Sequence, residues 1–251
     1  MLQRRLDVKR GLNTAGYISG YRGSPLGGYD TALWRAKSHL DTYKIKFQPG
    51  VNEDLAATAC WGTQQVGLRP GAQYDGVFSI WYGKGPGVDR SGDALKHGNM
   101  AGTSKNGGVL VLAGDDHGAK SSTTAHQSEQ ALIAAMIPIF YPSSVQEYLD
   151  YGLYGFELSR FSGTWVGIKC VGDIVEGSAN VSLDTLGFEP SLPDFPLPEE
   201  GVHIRWPDKP VEQEKRLISI KLKAVEAFVK INQLNIVTHK SEKKRLGIIA
   251  A

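Results

Sequence analysis

One order recurs along the first two-thirds of the chain and limits what it can fold into. An apolar, β-branched run breaks into a glycine-rich turn, and a helical pattern follows. The apolar runs predict strands at 14–19, 74–82, 108–113, 137–141 and 164–171, and the helical periods fall at 29–40, 53–66, 89–101, 128–135 and 144–159. Strands alternating with helices in this way predict an α/β fold, a mostly parallel sheet flanked by helices. The helix at 144 carries its own start signal, a hydroxyl at Ser144 with Glu147 three residues on. Glycine makes up 30 of 251 residues and gathers where the predicted strands end, which is where open parallel sheets bring backbone amides against a ligand.

Four segments concentrate groups able to do chemistry. GYISGYRGSPLGGYD (16–30) leaves a strand for a turn that offers Arg22 and Ser24. A guanidinium and a hydroxyl suit a carboxylate, and the same turn also reads as a tight connection with a solvated Arg. In FQPGVNEDLAATACWGTQQ (47–65), Asn52 is placed to cap a helix whose first turn holds Glu53 and Asp54. Carboxylates at that end meet the positive pole of the helix, which by itself explains them. The small residues that follow, Ala56, Ala57, Thr58, Ala59 and Gly62, let another element or a ligand approach closely. The block at 79–99 carries Gly83, Lys84, Gly85 and Gly87, whose cation and amides can meet an anion, and then His97, more typical of packing. In the block at 114–129, Asp115, Asp116, His117 and His126 admit a metal site or a hydrolase triad. No HExxH, GxSxG or CxxC spacing supports either. None of the glycine clusters is a GxGxxG or Walker loop.

Composition removes other classes. The chain is 41% hydrophobic and 22% charged with a net charge of +2, so it calls for neither disorder, nor nucleic acid, nor a membrane surface. The basic run at 240–245 reads as a solvated loop. The apolar stretches fall short of the roughly 20 residues of a membrane span, and MLQRRLDVKRG is a charged helical pattern without a signal-peptide core. Cys60 and Cys170 stand alone in apolar surroundings, as reduced thiols of a cytoplasmic protein do. Six of the twelve prolines fall within 190–210, which sets residues 188–210 apart as a linker over the surface. An amphipathic helix within 211–235 follows, with Leu217, Ile220, Leu222, Val225, Phe228 and Val229 broadly on one side. Residues 236–251 read as a loop and the opening strand of a further, truncated domain.

Taken together, the four blocks resemble the N-terminal region of large single-chain relatives of indolepyruvate:ferredoxin oxidoreductase, a thiamine-diphosphate-dependent family acting on 2-oxoacids. The resemblance covers nearly all of residues 1–187 and implies a pyrimidine-binding domain, one of two that sandwich the cofactor, usually across a homodimer interface. Glu53 matches the family's glutamate that hydrogen-bonds the aminopyrimidine ring and activates the cofactor. Gly83, Lys84 and Gly85 are implied as cofactor contacts, and Arg22 and Ser24 as groups that orient the oxoacid. Relatives often carry Thr-Pro where this chain has Ser24-Pro25. The family passes electrons to iron–sulfur clusters and ferredoxin while coenzyme A takes the acyl group.

Departures from the family pattern divide the work. The chain has no Gly-Asp-Gly followed by Asn-Asn, so the magnesium and diphosphate site is expected in another domain of the same parent. Two isolated cysteines cannot hold a four-cysteine cluster, which places the iron–sulfur clusters elsewhere too. This polypeptide alone is then expected to be inactive. Two other readings compete with it: a non-catalytic scaffold or regulatory module that kept the fold, and a small hydrolase built on the Asp115 to His126 loop.

Overall fold

The computed structural model describes residues 1–120, 124–183, 187–242 and 245–249. Six strands form one sheet: β1 (Ala15–Gly20), β2 (Ile45–Phe47), β3 (Val77–Lys84), β4 (Val109–Asp115), β5 (Ile139–Phe140) and β6 (Val166–Val171). Their order is β2-β1-β3-β4-β6-β5, and every neighbouring pair is parallel. The chain is an α/β fold. Around the sheet lie α1 (Leu2–Lys9), α2 (Gly27–Arg35), α3 (Lys37–Thr42), α4 (Glu53–Thr63), α5 (Gly85–Arg90), α6 (Gly92–Ala101), α7 (Glu129–Ala134), α8 (Val145–Ser162) and α9 (Gly172–Val175). After the proline-rich stretch come α10 (Pro210–Arg216), a π-helical turn (Leu217–Lys221) and α11 (Leu222–Ile231). No helix among the described residues is long and apolar enough to cross a membrane.

The central strands are apolar on both faces because helices cover both. In β4, Val109, Val111 and Ala113 point into a core shared with Ala56, Ala57 and Cys60 of α4, Val88 of α5, Leu95 of α6 and Leu132 of α7. Leu110 points the other way, into a core with Leu33 of α2, Leu40 of α3, Phe156 and Leu158 of α8 and Phe228 of α11. Cys60 and Cys170 are buried free thiols in these two opposite cores, and burial pushes both up from the ordinary thiol range.

Strand order reverses twice. From β1 the chain moves out to β2 along the α2 and α3 face and returns along the α4 face to β3, on the far side of β1. From β4 it passes through α7 to the edge strand β5 and comes back through α8 to β6. Each reversal opens a crevice beyond the strand ends, one between β1 and β3 and one between β4 and β6.

Strands at 14–19, 74–82, 108–113, 137–141 and 164–171 are found as β1, β3, β4, β5 and β6 with shifted ends. The sequence reading missed β2, whose three residues are too few to show a period. The helix expected at 29–40 is two, α2 and α3, as is that at 89–101, α5 and α6. Residues 245–249 form no strand. Leu246, Ile248 and Ile249 are exposed there, and without a partner ladder an extended segment leaves its backbone groups to water. Residues 250 and 251 lie outside the described ones. The proline-rich stretch is fastened down: Val202 is buried, Ile204 N–H donates to Thr103 O at 3.0 Å, and His203 Nε2 donates to Arg160 O at 2.8 Å.

Two buried charges hold the outer helices. Arg160 of α8 grips Asp7 of α1 through both terminal nitrogens, at 2.7 and 2.9 Å, and Thr14 Oγ1 donates to the same carboxylate at 2.6 Å. Burial opposes ionisation of Asp7, but the hydrogen bond and charge of Arg160, with Thr14 and Gln3, overcome it and hold the carboxyl below its usual range. Lys221, in the π-helical turn before α11, is fully buried. Its Nζ lies 3.4 Å from Met100 O and 3.2 Å from Gly163 O, at the C-terminal ends of α6 and α8, where carbonyls and helix dipoles favour a cation. Burial first, then the charge of Arg216, pulls Lys221 down to about 7 from the ordinary 10.5.

Asp7→Ala, which strands Arg160, is expected to lower unfolding free energy by about 3–5 kcal/mol in urea titrations. Since Asp7 titrates lower when folded, its contribution is present above the ordinary carboxylate range and is lost as pH falls through the folded value. Lys221 runs the other way: its protonation opposes folding fully below about 7, and the penalty disappears as pH rises to 10.5. A rise in stability across that window that persists unchanged in Lys221→Met would refute the assignment.

Candidate functional site

The crevice between β1 and β3 brings together most of the residues singled out in the sequence. Tyr21 N–H donates to Tyr82 O at 3.0 Å, so the loop after β1 leaves the sheet alongside β3. Gly20 has no room for a side chain, because a Cβ there would overlap Tyr82 O and the Tyr82 ring. Arg22 is exposed and Ser24 half-buried in this loop. A Cβ on Gly23 would lie 2.9 Å from Lys84 Cδ, so the Lys84 stem runs against the same loop. Lys84 ends β3, and no ion pair to it occurs among the described residues. Gly83 serves packing, since the Trp81 indole occupies the space beside it.

Glu53 reaches the crevice from the other side. Gln48 N–H donates to Ile18 O and Gly50 N–H to Gly20 O, at 2.9 and 2.8 Å, which ties the loop after β2 to the end of β1. Asn52 then caps α4 as expected, its side chain accepting from Leu55 N at 2.9 Å. Trp81 Nε1 donates to Glu53 O at 3.0 Å, fixing the head of α4 to β3. Glu53 is only 8% exposed, yet among the described residues its carboxylate has no hydrogen-bond or ion-pair partner. A carboxylate left open at a crevice is suited to a donor brought by a ligand. Its side chain lies on Gly87, where a Cβ would come within 2.7 Å of Cγ and Oε1. Ala56, Ala57 and Cys60 spend the small-residue face of α4 on the sheet.

The second crevice, between β4 and β6, is closed by charge. Asp115 is fully buried and accepts from Ser128 N at 2.9 Å and Ser128 Oγ at 2.6 Å. Lys169 of β6, 2% exposed, bonds Glu129, lies 3.6 Å from Asp115 and stacks over Tyr141. Burial works against Glu129 ionising, and the hydrogen bond and charge of Lys169 outweigh it, holding the carboxyl below its usual range. His126 Nε2 lies 2.8 Å from Asp89 Oδ2, and Nδ1 faces Asp115 at 3.5 Å. Ser128 spends its hydroxyl on Asp115, so among the described residues no hydroxyl is bonded to His126 as a triad requires. The hydroxyls at 121–123 lie outside the described residues. No group of three metal-ligating side chains occurs among the described ones. His97 is half-exposed and stacked on Trp61, while Trp81 and Tyr82 are core residues.

Sequence reasoning missed Lys169 and Asp89. A lysine inside an otherwise apolar strand was the available signal, since such a residue has to find a buried acid.

No family model matches the chain. Indolepyruvate oxidoreductase subunit IorA of Methanothermobacter marburgensis is 24% identical over 244 residues, covering 94% of this chain, and that of Methanothermobacter thermautotrophicus is 25% identical over 242. The chain is similar to these subunits along nearly all of its own length. It spans 36% of their length. A solved thiamine diphosphate-dependent 4-hydroxybenzoylformate decarboxylase of Rhodococcus jostii has a TM-score of 0.48 at 12% identity, over 75% of this chain and 33% of its own.

Gly20→Ala would set a methyl against a backbone carbonyl that cannot yield, and it is expected to destabilise by about 1–3 kcal/mol or more. Gly28→Ala, with open space at its Cβ, is expected to change stability little, and chemical denaturation of the two variants compares them directly.

Proposed function

We propose that the chain is the pyrimidine-binding part of a thiamine-diphosphate-dependent oxidoreductase that decarboxylates a 2-oxoacid of the indolepyruvate type, with Glu53 as the activating carboxylate. The observation that carries this reading is Glu53, a largely buried residue at the head of α4 in the β1/β3 crevice whose carboxylate has no hydrogen-bond or ion-pair partner among the described residues. Similarity to the indolepyruvate oxidoreductase subunits along nearly the whole chain supports it.

Thiamine diphosphate, when bound, supplies an acidic thiazolium carbon and an electron sink for decarboxylation. The chain's part is to hold its pyrimidine end. Glu53 shares a proton with a ring nitrogen, a role needing a fixed carboxyl in a site that excludes bulk water. The Asn52 cap and the Trp81 indole fix the backbone of Glu53, and Gly87 leaves the carboxylate room to face the crevice. Lys84 and Gly85 contact the cofactor beside its pyrimidine end, and Gly83 lets Trp81 pack beneath them. Arg22 and Ser24, on the loop touching Lys84, orient the oxoacid carboxylate.

The diphosphate and its magnesium are held by a further domain of the same parent, across a homodimer interface. Iron–sulfur clusters, ferredoxin and coenzyme A also act through parts outside these residues, in the cytoplasm. In the full-length protein, Glu53→Gln keeps the hydrogen-bonding shape and removes the titrating carboxyl. Viologen reduction with aryl 2-oxoacids is expected to fall by about 100-fold or more with thermal stability nearly unchanged. Undiminished reduction in that variant would remove Glu53 from the chemistry.

A further inference from the structure

We infer that His126, clamped to Asp89, is a positioning residue that sets the Glu53 carboxylate by pressing α5 against it; the inference rests on the reading of Glu53 above. Three contacts connect the two side chains. The His126 imidazole lies directly on Gly85, so close that a Cβ there would overlap Nδ1 and Cγ. His126 Nε2 meets Asp89 Oδ2 at 2.8 Å, one turn further along the same helix. Between these two points Gly87 forms the floor under Glu53, with the carboxylate against it. α5 is therefore held on one side by His126 and in contact with Glu53 on another.

Both ends of this chain of contacts are anchored. His126 N–H donates to Asp116 O at 3.4 Å, and two residues later Ser128 is bonded through its amide and hydroxyl to buried Asp115. On the α4 side, Asp54 meets Arg90 and Ser91 at the far end of α5, at 3.4 and 3.5 Å. The ionic cluster closing the β4/β6 crevice is in this way linked mechanically to the open β1/β3 crevice. A six-residue helix has little stability of its own, so its position depends on these lateral contacts. Loss of either His126 or Asp89 frees its first turn, and with it the surface that limits where the Glu53 side chain can lie. Substrate need not touch His126 for this to matter.

The test uses the full-length protein with thiamine diphosphate and Mg2+, reading cofactor affinity by calorimetry and exchange of the thiazolium C2 proton by quenched-flow NMR. His126→Gln and Asp89→Asn are expected to weaken affinity and slow exchange by about tenfold each, as loss of an orienting partner does, with Tm within a few degrees of the parent. Asp89 is mostly exposed, so its variant carries the test should the histidine variant fail to fold. In a Glu53→Gln background the same substitutions are expected to change neither quantity, because they act through the carboxylate. Effects that persist in that background, or a fall in Tm with affinity and exchange unaltered, would overturn the inference. If Glu53→Gln alone leaves affinity and exchange at parental values, it is the assignment of Glu53 that fails.

Discussion

Every connection in a parallel sheet must carry the chain back to the edge from which its strand started, and helices covering both faces are the means. In this chain all six strands obey that constraint, so all of their C-terminal ends share one edge. Residues far apart in sequence, such as Ser24, Glu53, Lys84 and His126, become neighbours at that edge for topological reasons before any of them touches another. Reversal of strand order then decides where the edge is open. Two reversals make two crevices, and the side chains at each determine its use.

The two crevices contrast in how their polar groups are satisfied. Between β4 and β6, Asp115, Lys169, Glu129 and Ser128 are tied to one another, with Glu129 Oε2 and His126 Nδ1 buried and without a hydrogen-bond partner among the described residues, so a guest there would have to displace buried ion pairs. Between β1 and β3, the carboxylate of largely buried Glu53 and the Lys84 cation have no ion-pair partner among the described residues. A carboxylate and a cation left open at a crevice mark where an outside molecule can complete the structure. The helices on the outside show the same economy by other means. Asp7 finds a guanidinium, and Lys221, with no carboxylate in contact among the described residues, is placed at two helix C-termini.

Elements were legible in the sequence where local chemistry determines them. The Asn52 and Ser144 caps, the glycine turns and the apolar runs of β1, β3, β4 and β6 depend on neighbours in the chain, and all are found in the structure. β2 was not legible, because three residues acquire their meaning only from pairing with β1. Nor was Lys221, which has the charge of a surface residue and is buried through contacts with carbonyls more than 50 positions away. Of the site residues named from sequence, Lys84 lies against Gly23 of the loop that carries Arg22 and Ser24, and Glu53 lies against Gly87. Lys169 and Asp89 were missed because their partners come from other strands and loops, and the Asp115 to His126 loop became interpretable only with those partners in view.

The margins of the sheet carry a consequence of their own. β2 offers three residues of open backbone and β5 only two, while the long strands β1, β3 and β4 are enclosed between neighbours. A foreign strand seeking to extend the ladder would find too little of it on either side to hold on. Lys46 and Lys44 at the β2 margin add charge that a second identical chain would have to bury. The fold can thus keep a strongly apolar interior in solution without inviting its copies to join edge to edge.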